Sequence, residues 1–191
     1  MSSEVTVLVL TPSTISGLGS ADKARLDELG AKSGVAQKLR GPITSFALMS
    51  EERSSAESHK LYALTSGAPP SGIFCYVKTG VKNLWLYNDE QRKKGLQDCP
   101  KVTCVLDFYV DESVQRGGWG RKVFDAMVSD LSRSGGKAFE GLGGEEIAGR
   151  LAYDRPSEKM LPFLARHFGL TDIKEQSNNY LVFKGFWDAK C

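Results

Sequence analysis

The sequence predicts a mixed α/β domain with a βαβ unit near its centre. Three features carry that expectation. Short β-branched and aromatic runs recur before residue 111, the signature of strands. The most strand-like of them, KVTCVLDFYV at 101–110, leads through a glycine-rich turn into Val123, Phe124, Met127 and Leu131 at helical spacing. After that helix, strand-like and helix-like segments alternate, as a crossover connection requires.

The elements follow in order. VTVLVL at 5–10 is short and β-branched and precedes Thr11-Pro12, so it reads as a strand. Ser20 reads as the N-cap of a helix carrying Leu26 and Leu29 three apart, with acids in its first turns. This helix is expected to reach about Leu39, with breaks at Gly30 or Gly34, before Gly41-Pro42 stops it. Residues 60–65 and 73–78 read as strands joined by a turn-rich loop, SGAPPSG. Thr79-Gly80 reads as a hairpin turn into a further strand at 81–87. Residues 88–100 are polar and charged, a surface crossing. Residues 132–149 hold six glycines and read as a long loop insertion with one helical turn around Glu145. Residues 151–153 form a short strand ending at Asp154. Pro156 and Ser157 begin a helix presenting Leu161, Leu164 and Phe168 on one face, and residues 180–186 close the chain as a strand. Pro162 falls inside that helix, where proline is expected to kink it at a cost of about 3 kcal/mol.

Composition narrows the function classes. A chain of 191 residues suits one domain. Its 25 Lys+Arg against 23 Asp+Glu leave +2, without the basic excess of a general nucleic-acid binder. The longest apolar run, 73–77, is far short of the roughly 20 residues of a membrane helix. No basic stretch precedes Val5, so no secretory signal is visible. Cys75, Cys99, Cys104 and Cys191 lack metal-ligand spacing, and only His59 and His167 accompany them, so no metal is expected and free thiols are. The basic run Arg92-Lys93-Lys94 reads as a solvated face.

The turn Gln115-Arg116-Gly117-Gly118-Trp119-Gly120-Arg121 carries the chemistry. Glycines between a strand and a helix expose backbone N–H groups, and a helix N-terminus favours anions. Arg116 and Arg121 are unfavourable there for the helix dipole and make sense beside a phosphate. The turn is not a Walker loop, since no Gly-Lys-Ser/Thr follows, and it lacks the third glycine of a dinucleotide fingerprint. From glycine content alone, a plain βα turn is an equal reading.

The spacing Gln/Arg-x-x-Gly-x-Gly/Ala after a strand resembles the pyrophosphate loop of the acetyl-CoA-dependent GNAT acetyltransferases. Three further stretches resemble one family of that fold, the α-tubulin N-acetyltransferases: residues 105–121 as a whole, the Asp-Arg-Pro-Ser-x-Lys run at 154–159, and AQKLRGPITS at 36–45. Asn178-Asn179 and Gly185-Phe186 match as well. Gly117 and Trp119 depart from the polar or histidine residues of animal members.

The resemblance implies a mostly antiparallel central sheet, splayed at the acetyl-CoA site and flanked by helices. It implies that Gln37, Cys104 and Asp154 serve catalysis. It implies cofactor contacts from Phe108, Tyr109 and Val110, from Gln115, Arg116, Gly117, Gly118, Trp119, Gly120 and Arg121, and from a second stretch. That second stretch holds Ser157, Glu158, Lys159, Leu161, Phe163 and Arg166. Ile43, Lys78, Lys82, Asp107 and Arg155 fall where the family lines its tubulin-facing surface. The implied activity is acetyl transfer from acetyl-CoA to a lysine of α-tubulin in microtubules. The implied setting is the cytoplasmic cytoskeleton or a cilium, as a monomer without nucleic acid or membrane. An acetyltransferase of the same fold for small amines and an inactive microtubule-binding module are the rivals.

The residues themselves leave alternatives open. Asp154 reads equally as an N-cap or as a partner of Arg155, and Cys104, alternating with Val102, Leu106 and Phe108, as a core residue. No histidine lies near Cys104 in sequence to activate a thiolate, so direct attack by the amine is expected, not an acyl-cysteine. Gln37 alone would read as a solvated helix end. Trp119 reads as a core residue or, in a loop, as one that covers the cofactor or stands exposed.

Overall fold

The computed structural model describes residues 4–51, 59–68, 71–88 and 95–188. Seven strands form one sheet in the order β1-β2-β3-β4-β5-β7-β6. They are β1 (Val5–Leu10), β2 (Lys60–Ser66), β3 (Gly72–Leu86), β4 (Gln97–Val110), β5 (Ala152–Asp154), β6 (Ile173–Glu175) and β7 (Tyr180–Phe183). The helices are α1 (Ser20–Ala36), α2 (Phe46–Ser50), α3 (Trp119–Ser134), α4 (Gly144–Gly149) and α5 (Met160–Phe168). β1–β2, β2–β3, β5–β7 and β6–β7 pair antiparallel, and β4–β5 pair parallel through Cys104↔Ala152 and Val105↔Tyr153. The expected βαβ unit is thus β4–α3–β5. The β4–β5 pairing stops at Val105 while β4 itself continues to Val110.

The chain groups into two compact units, residues 1–80 with 106–127, and residues 81–105 with 128–191. In the first, α1 and α2 pack with β2 and β3 around Leu26, Leu29, Met49, Leu61 and Ile73, all buried. Two glycines set that packing. A Cβ on Gly30 would stand 1.8 Å from the Thr44 carbonyl oxygen, and one on Gly34 would stand 3.0 Å from that of Gly41. The glycines therefore do not break α1; they let the 41–45 segment lie against it. α1 ends instead at Ala36, with Gln37 as C-cap and Lys38 in the left-handed region at φ 59°. Ser20 is the first helical residue, not the cap, a position held by Gly19.

In the second unit, Tyr153 is fully buried and donates from its hydroxyl to the Ala148 carbonyl at 2.8 Å, which satisfies the polar tip of an otherwise apolar core. Its ring meets Phe183 edge-on at 5.5 Å. α5 buries Met160, Leu164 and Phe168, an i, i+4, i+8 stripe.

Several expectations are corrected. Thr79-Gly80 is no turn: β3 runs unbroken for 15 residues. Gly80 is instead a close-approach position, where a Cβ would meet His59 Cδ2 at 2.6 Å and Leu106 Cδ1 at 2.8 Å. β4 begins at Gln97, inside the expected crossing, and accommodates Pro100 with Lys101 at φ 56°, whose amide donates to Asn83 Oδ1 at 3.0 Å. Arg92-Lys93-Lys94 and Pro69-Pro70 lie outside the described residues. The stretch 132–149 is not one loop. Its start belongs to α3, a 3-10 turn follows at Gly136–Ala138, and its end is α4. Ser157 precedes α5 and does not begin it, and Leu161 lies off the buried stripe. Pro162 is the third helical residue, where the N–H would lack an intrahelical partner anyway, so the expected kink and its cost disappear. The last strand ends at Phe183, and Gly185 and Phe186 sit in a 3-10 turn. β6 and α2 have no counterpart in the sequence reading.

Candidate active site

Three groupings hold the residues that sequence reasoning selected. The first surrounds Asp107, which alternation on β4 turns to the face opposite Cys104. Asp107 is 3% exposed. Its Oδ1 accepts from Ser33 Oγ and from Gln37 Nε2 at 2.8 Å, and its Oδ2 accepts from Thr44 Oγ1 and from the Tyr76 hydroxyl at 2.7 Å. Four donors fill a carboxylate's lone pairs, which is what a buried charge requires. Burial and the neighbouring Asp107 charge push the Tyr76 phenol well above its ordinary value, so it remains a donor. Gln37 also donates to Ser33 Oγ at 3.0 Å, while its Oε1 is buried and has no hydrogen-bond partner among the described residues. Lys78, 5% exposed, donates from Nζ to the Ile43 carbonyl at 2.6 Å. Of the five residues expected to line a substrate surface, Asp107 and Lys78 are therefore buried struts. They fix the segment that carries Ile43 and Thr44.

The second grouping is the turn between β4 and α3. Asp111 caps the 3-10 turn Glu112–Val114 through the Ser113 amide, and Arg25 Nη2 of α1 lies 2.6 Å from Asp111 Oδ2. Burial would raise the Asp111 pKa, but hydrogen bonds from the Ser113 hydroxyl and amide and from Arg25 outweigh it, and the carboxyl sits at about 2. Gln115 Nε2 donates back to the Val110 carbonyl at 3.0 Å. The chain then turns through Arg116 at φ 69° and Gly118 at φ 79°. The ladder of α3 opens with Lys122 N–H donating to Gly118 O at 3.1 Å, so the amides of Gly118, Trp119 and Gly120 stand ahead of it. Arg116, Gly117 and Gly118 are exposed. Such a turn suits the diphosphate of a nucleotide cofactor: open backbone donors, a helix N-terminus and a cation at Arg116.

Trp119 is corrected from a loop residue to the first residue of α3, half-buried with its ring edge-on to Phe74 at 5.4 Å. The single Nε–H of Arg121 is shared between the two carboxylate oxygens of Asp125, at 2.7 and 2.8 Å, so its charge is partly answered along its own helix. Phe108 meets Phe124 edge-on at 6.0 Å, Tyr109 packs against the first unit's core, and Val110 is half-buried.

The third grouping lies in the second unit. Cys104 is fully buried, and burial first, then the Asp154 charge, push its thiol up to about 12. A thiol at that value is about one part in 10⁵ thiolate at pH 7. Asp154 ends β5 with its side chain 18% exposed. Burial raises its pKa, opposed by the Arg155 and Lys82 charges and by hydrogen bonding from Tyr180. Its Oδ1 is buried without a hydrogen-bond partner among the described residues, with Arg155 Nε 3.9 Å away. Arg155 sits at φ 42° and its amide donates to the Asn179 carbonyl at 3.0 Å. Asp154 is therefore not an N-cap, since α5 begins six residues later behind Lys159, and it is paired with Arg155 only as a loose ion pair at 3.9 Å. Ser157, Glu158 and Lys159 form the turn before α5. Leu161, Phe163 and Arg166 lie off that helix's buried stripe, with Phe163 stacked against His167 at 4.9 Å.

A family model described as GNAT acetyltransferase, Mec-17, matches residues 19–191. The chain belongs to that family. It is 39% identical over 168 residues to α-tubulin N-acetyltransferase 1 of Danio rerio, covering 86% of this chain and 49% of that one. It is 39% identical over 163 residues to the α-tubulin N-acetyltransferase of Leishmania major, covering 85% of this chain and 57% of that one. The chain thus spans about half the length of these curated relatives. Among solved structures, an aminoglycoside N-acetyltransferase in complex with CoA superposes at TM-score 0.51 and 10% identity, covering 93% of this chain and 92% of the other. AtaTR bound with acetyl-CoA superposes at 0.51 and 16% identity, covering 93% and 91%. At those identities the likeness establishes the fold, a GNAT acetyltransferase sheet with flanking helices.

Sequence reasoning missed Ser33, Thr44, Tyr76, Arg25 and Tyr180. An acid at an inward strand position, as Asp107 is, signals that buried donors must exist. Their identities depend on contacts across 31 to 74 residues of chain, which no local pattern encodes.

Proposed function

We propose that this chain transfers the acetyl group of acetyl-CoA to a lysine ε-amine of α-tubulin in microtubules. The observation that carries the reading is the turn at 115–121, where a strand end, left-handed Arg116 and Gly118, and the start of α3 present backbone donors to a diphosphate. Membership of the family and the activity for which the relatives are named support the substrate.

In this reading the backbone amides from Gly118 to Gly120, with Arg116, hold the cofactor's diphosphate, and the second stretch, from Ser157 to Arg166, completes its binding. A lysine of pKa ~10.4 is neutral in about one part in 10³ at pH 7, so the amine must lose a proton. Asp154 takes it, made more basic by burial. The nitrogen then attacks the thioester carbon; the C–N bond forms, the C–S bond breaks with its pair on sulfur, and the second proton that the nitrogen sheds passes through solvent to the departing thiolate, leaving the amide and the CoA thiol. Cys104 stays neutral and forms no acyl intermediate, so transfer occurs directly in a ternary complex. Gln37, its amide pinned by Ser33 and Asp107, offers Oε1 to a donor of the substrate. Ile43, Lys82 and Arg155 face the protein substrate. The enzyme works as a monomer on the cytoplasmic cytoskeleton, including a cilium or flagellum.

The test incubates purified chain with acetyl-CoA and either microtubules, polyamines or aminoglycosides, and reads acetylation by mass spectrometry. The expected result is a modified α-tubulin lysine and no amine product. Amine products alone would move the reading to a small-molecule acetyltransferase, and no turnover with retained microtubule binding would make the chain a binding module.

A further inference from the structure

The β5–β7 pairing sets Asp154 directly opposite Tyr180, with Tyr153 opposite Leu181. Opposed residues of an antiparallel pair project from the same face at close spacing. The backbone on both sides is held. Arg155 N–H donates to Asn179 O at 3.0 Å, Tyr180 N–H donates to Asn178 Oδ1 at 3.3 Å, and Asn178 Nδ2 donates to the Trp85 carbonyl at 3.3 Å. Asn179 is left-handed at φ 64°, which forms the corner leading into β7. The fully buried Tyr153 anchors β5 from the other side.

What this scaffold does not fix by itself is the Asp154 side chain. Arg155 Nε, 3.9 Å from Oδ1, is too far for a hydrogen bond. Oδ1 itself is buried and has no hydrogen-bond partner among the described residues. We propose that Tyr180 is a positioning residue for Asp154: its hydroxyl, delivered by the β5–β7 register, holds the carboxylate in the one rotamer from which it receives the substrate proton. The inference rests on Asp154 being the proton acceptor in acetyl transfer.

The electrostatics agree with that geometry. Tyr180 hydrogen bonding draws the Asp154 carboxyl down against the upward push of burial. Burial first, with the Asp154 charge and the same hydrogen bond, pushes the Tyr180 phenol up, so the hydroxyl stays a donor across the working range. The other groups facing the carboxylate are Arg155 on its own segment, Lys82 on β3 and the Cys104 thiol on β4. The two cations favour the charged carboxylate, and the neutral thiol does not titrate near it.

The test uses Tyr180→Phe on the whole chain, with two readouts. Carboxyl ¹³C NMR should show the Asp154 titration about one unit higher than in the unmodified protein, because a charge-assisted hydrogen bond is lost. The acid limb of kcat/KM should move up by the same amount, with kcat about tenfold lower and KM for acetyl-CoA unchanged. Replacing Tyr180 with 3-fluorotyrosine, a stronger donor of the same shape, should move the titration downward, and this holds even where Tyr180→Phe folds poorly. An unmoved Asp154 titration in an active enzyme overturns the Tyr180 assignment alone. A shifted titration with an unchanged rate profile also overturns it. An unmodified protein without any acetyl transfer overturns the parent reading, and with it the catalytic role of the pair.

Discussion

Replacing Gly30 with alanine should be costly although alanine is the better helix former. In an open helix the change would gain about 1 kcal/mol. Here the new Cβ would lie 1.8 Å from the Thr44 carbonyl oxygen, and ordinary contact begins near 3.4 Å, so backbone on one side must retreat by about 1.6 Å. The partner is main chain and cannot rotate away. Overpacking of this kind costs about 1–3 kcal/mol. The retreat also pulls Thr44 Oγ1 from Asp107, and a buried hydrogen bond to a charge is worth about 1.5–3 kcal/mol. Net destabilisation of about 2–4 kcal/mol follows, a Tm lower by about 5–15 °C at this chain length. Calorimetry on Gly30→Ala beside Gly17→Ala, whose Cβ meets nothing within 4 Å, isolates the effect. Gly17→Ala should stay within about 0.5 kcal/mol of the parent. A Gly30→Ala protein as stable as the parent would refute the close packing of α1 on the Thr44 segment and the pinned network built from it.

Three other outcomes are expected. Asp111 has a depressed pKa, so its contribution to stability is complete above the ordinary value of 3.8 and disappears as pH falls through about 2; its size is on the order of 2 kcal/mol. Asp111→Asn should therefore lower stability at neutral pH and flatten acid unfolding across that window in urea titrations. Cys104→Ala should retain most of kcat, and Cys104 in the folded protein should resist iodoacetamide at pH 7, since its thiol lies near 12; rapid alkylation there would contradict the neutral assignment. Gly118→Val should weaken acetyl-CoA binding at least tenfold and lower Tm by a few degrees, because a β-branched residue is strained at φ 79° even though open space surrounds that Cβ.

What the sequence made legible were features carried by neighbouring residues. The alternation at 101–110, the glycine turn and the helical spacing from Val123 to Leu131 all became β4, the turn and α3. What it hid were features whose cause is distant. Gly30, Gly34 and Gly80 read as breaks or turns, yet each is small because another segment passes close by. The same residue type serves both ends, and only the fold tells them apart. Pro162 looked disruptive because the start of α5 was placed at Pro156; moved to Met160, the proline falls in the first turn, where it is harmless. At the site, Asp154 and Cys104 were reached through resemblance, and Tyr180 was not reached at all, because its tie to Asp154 is a strand register and not a motif.

The central claim is that the turn from Gln115 to Arg121 grips the cofactor by its diphosphate. Isothermal calorimetry with acetyl-CoA and with acetyl-pantetheine, which carries the same thioester but no diphosphate, tests it most directly. The account predicts binding of acetyl-CoA with the shorter compound at least a hundredfold weaker, and equal affinities, or no heat with either, would contradict it.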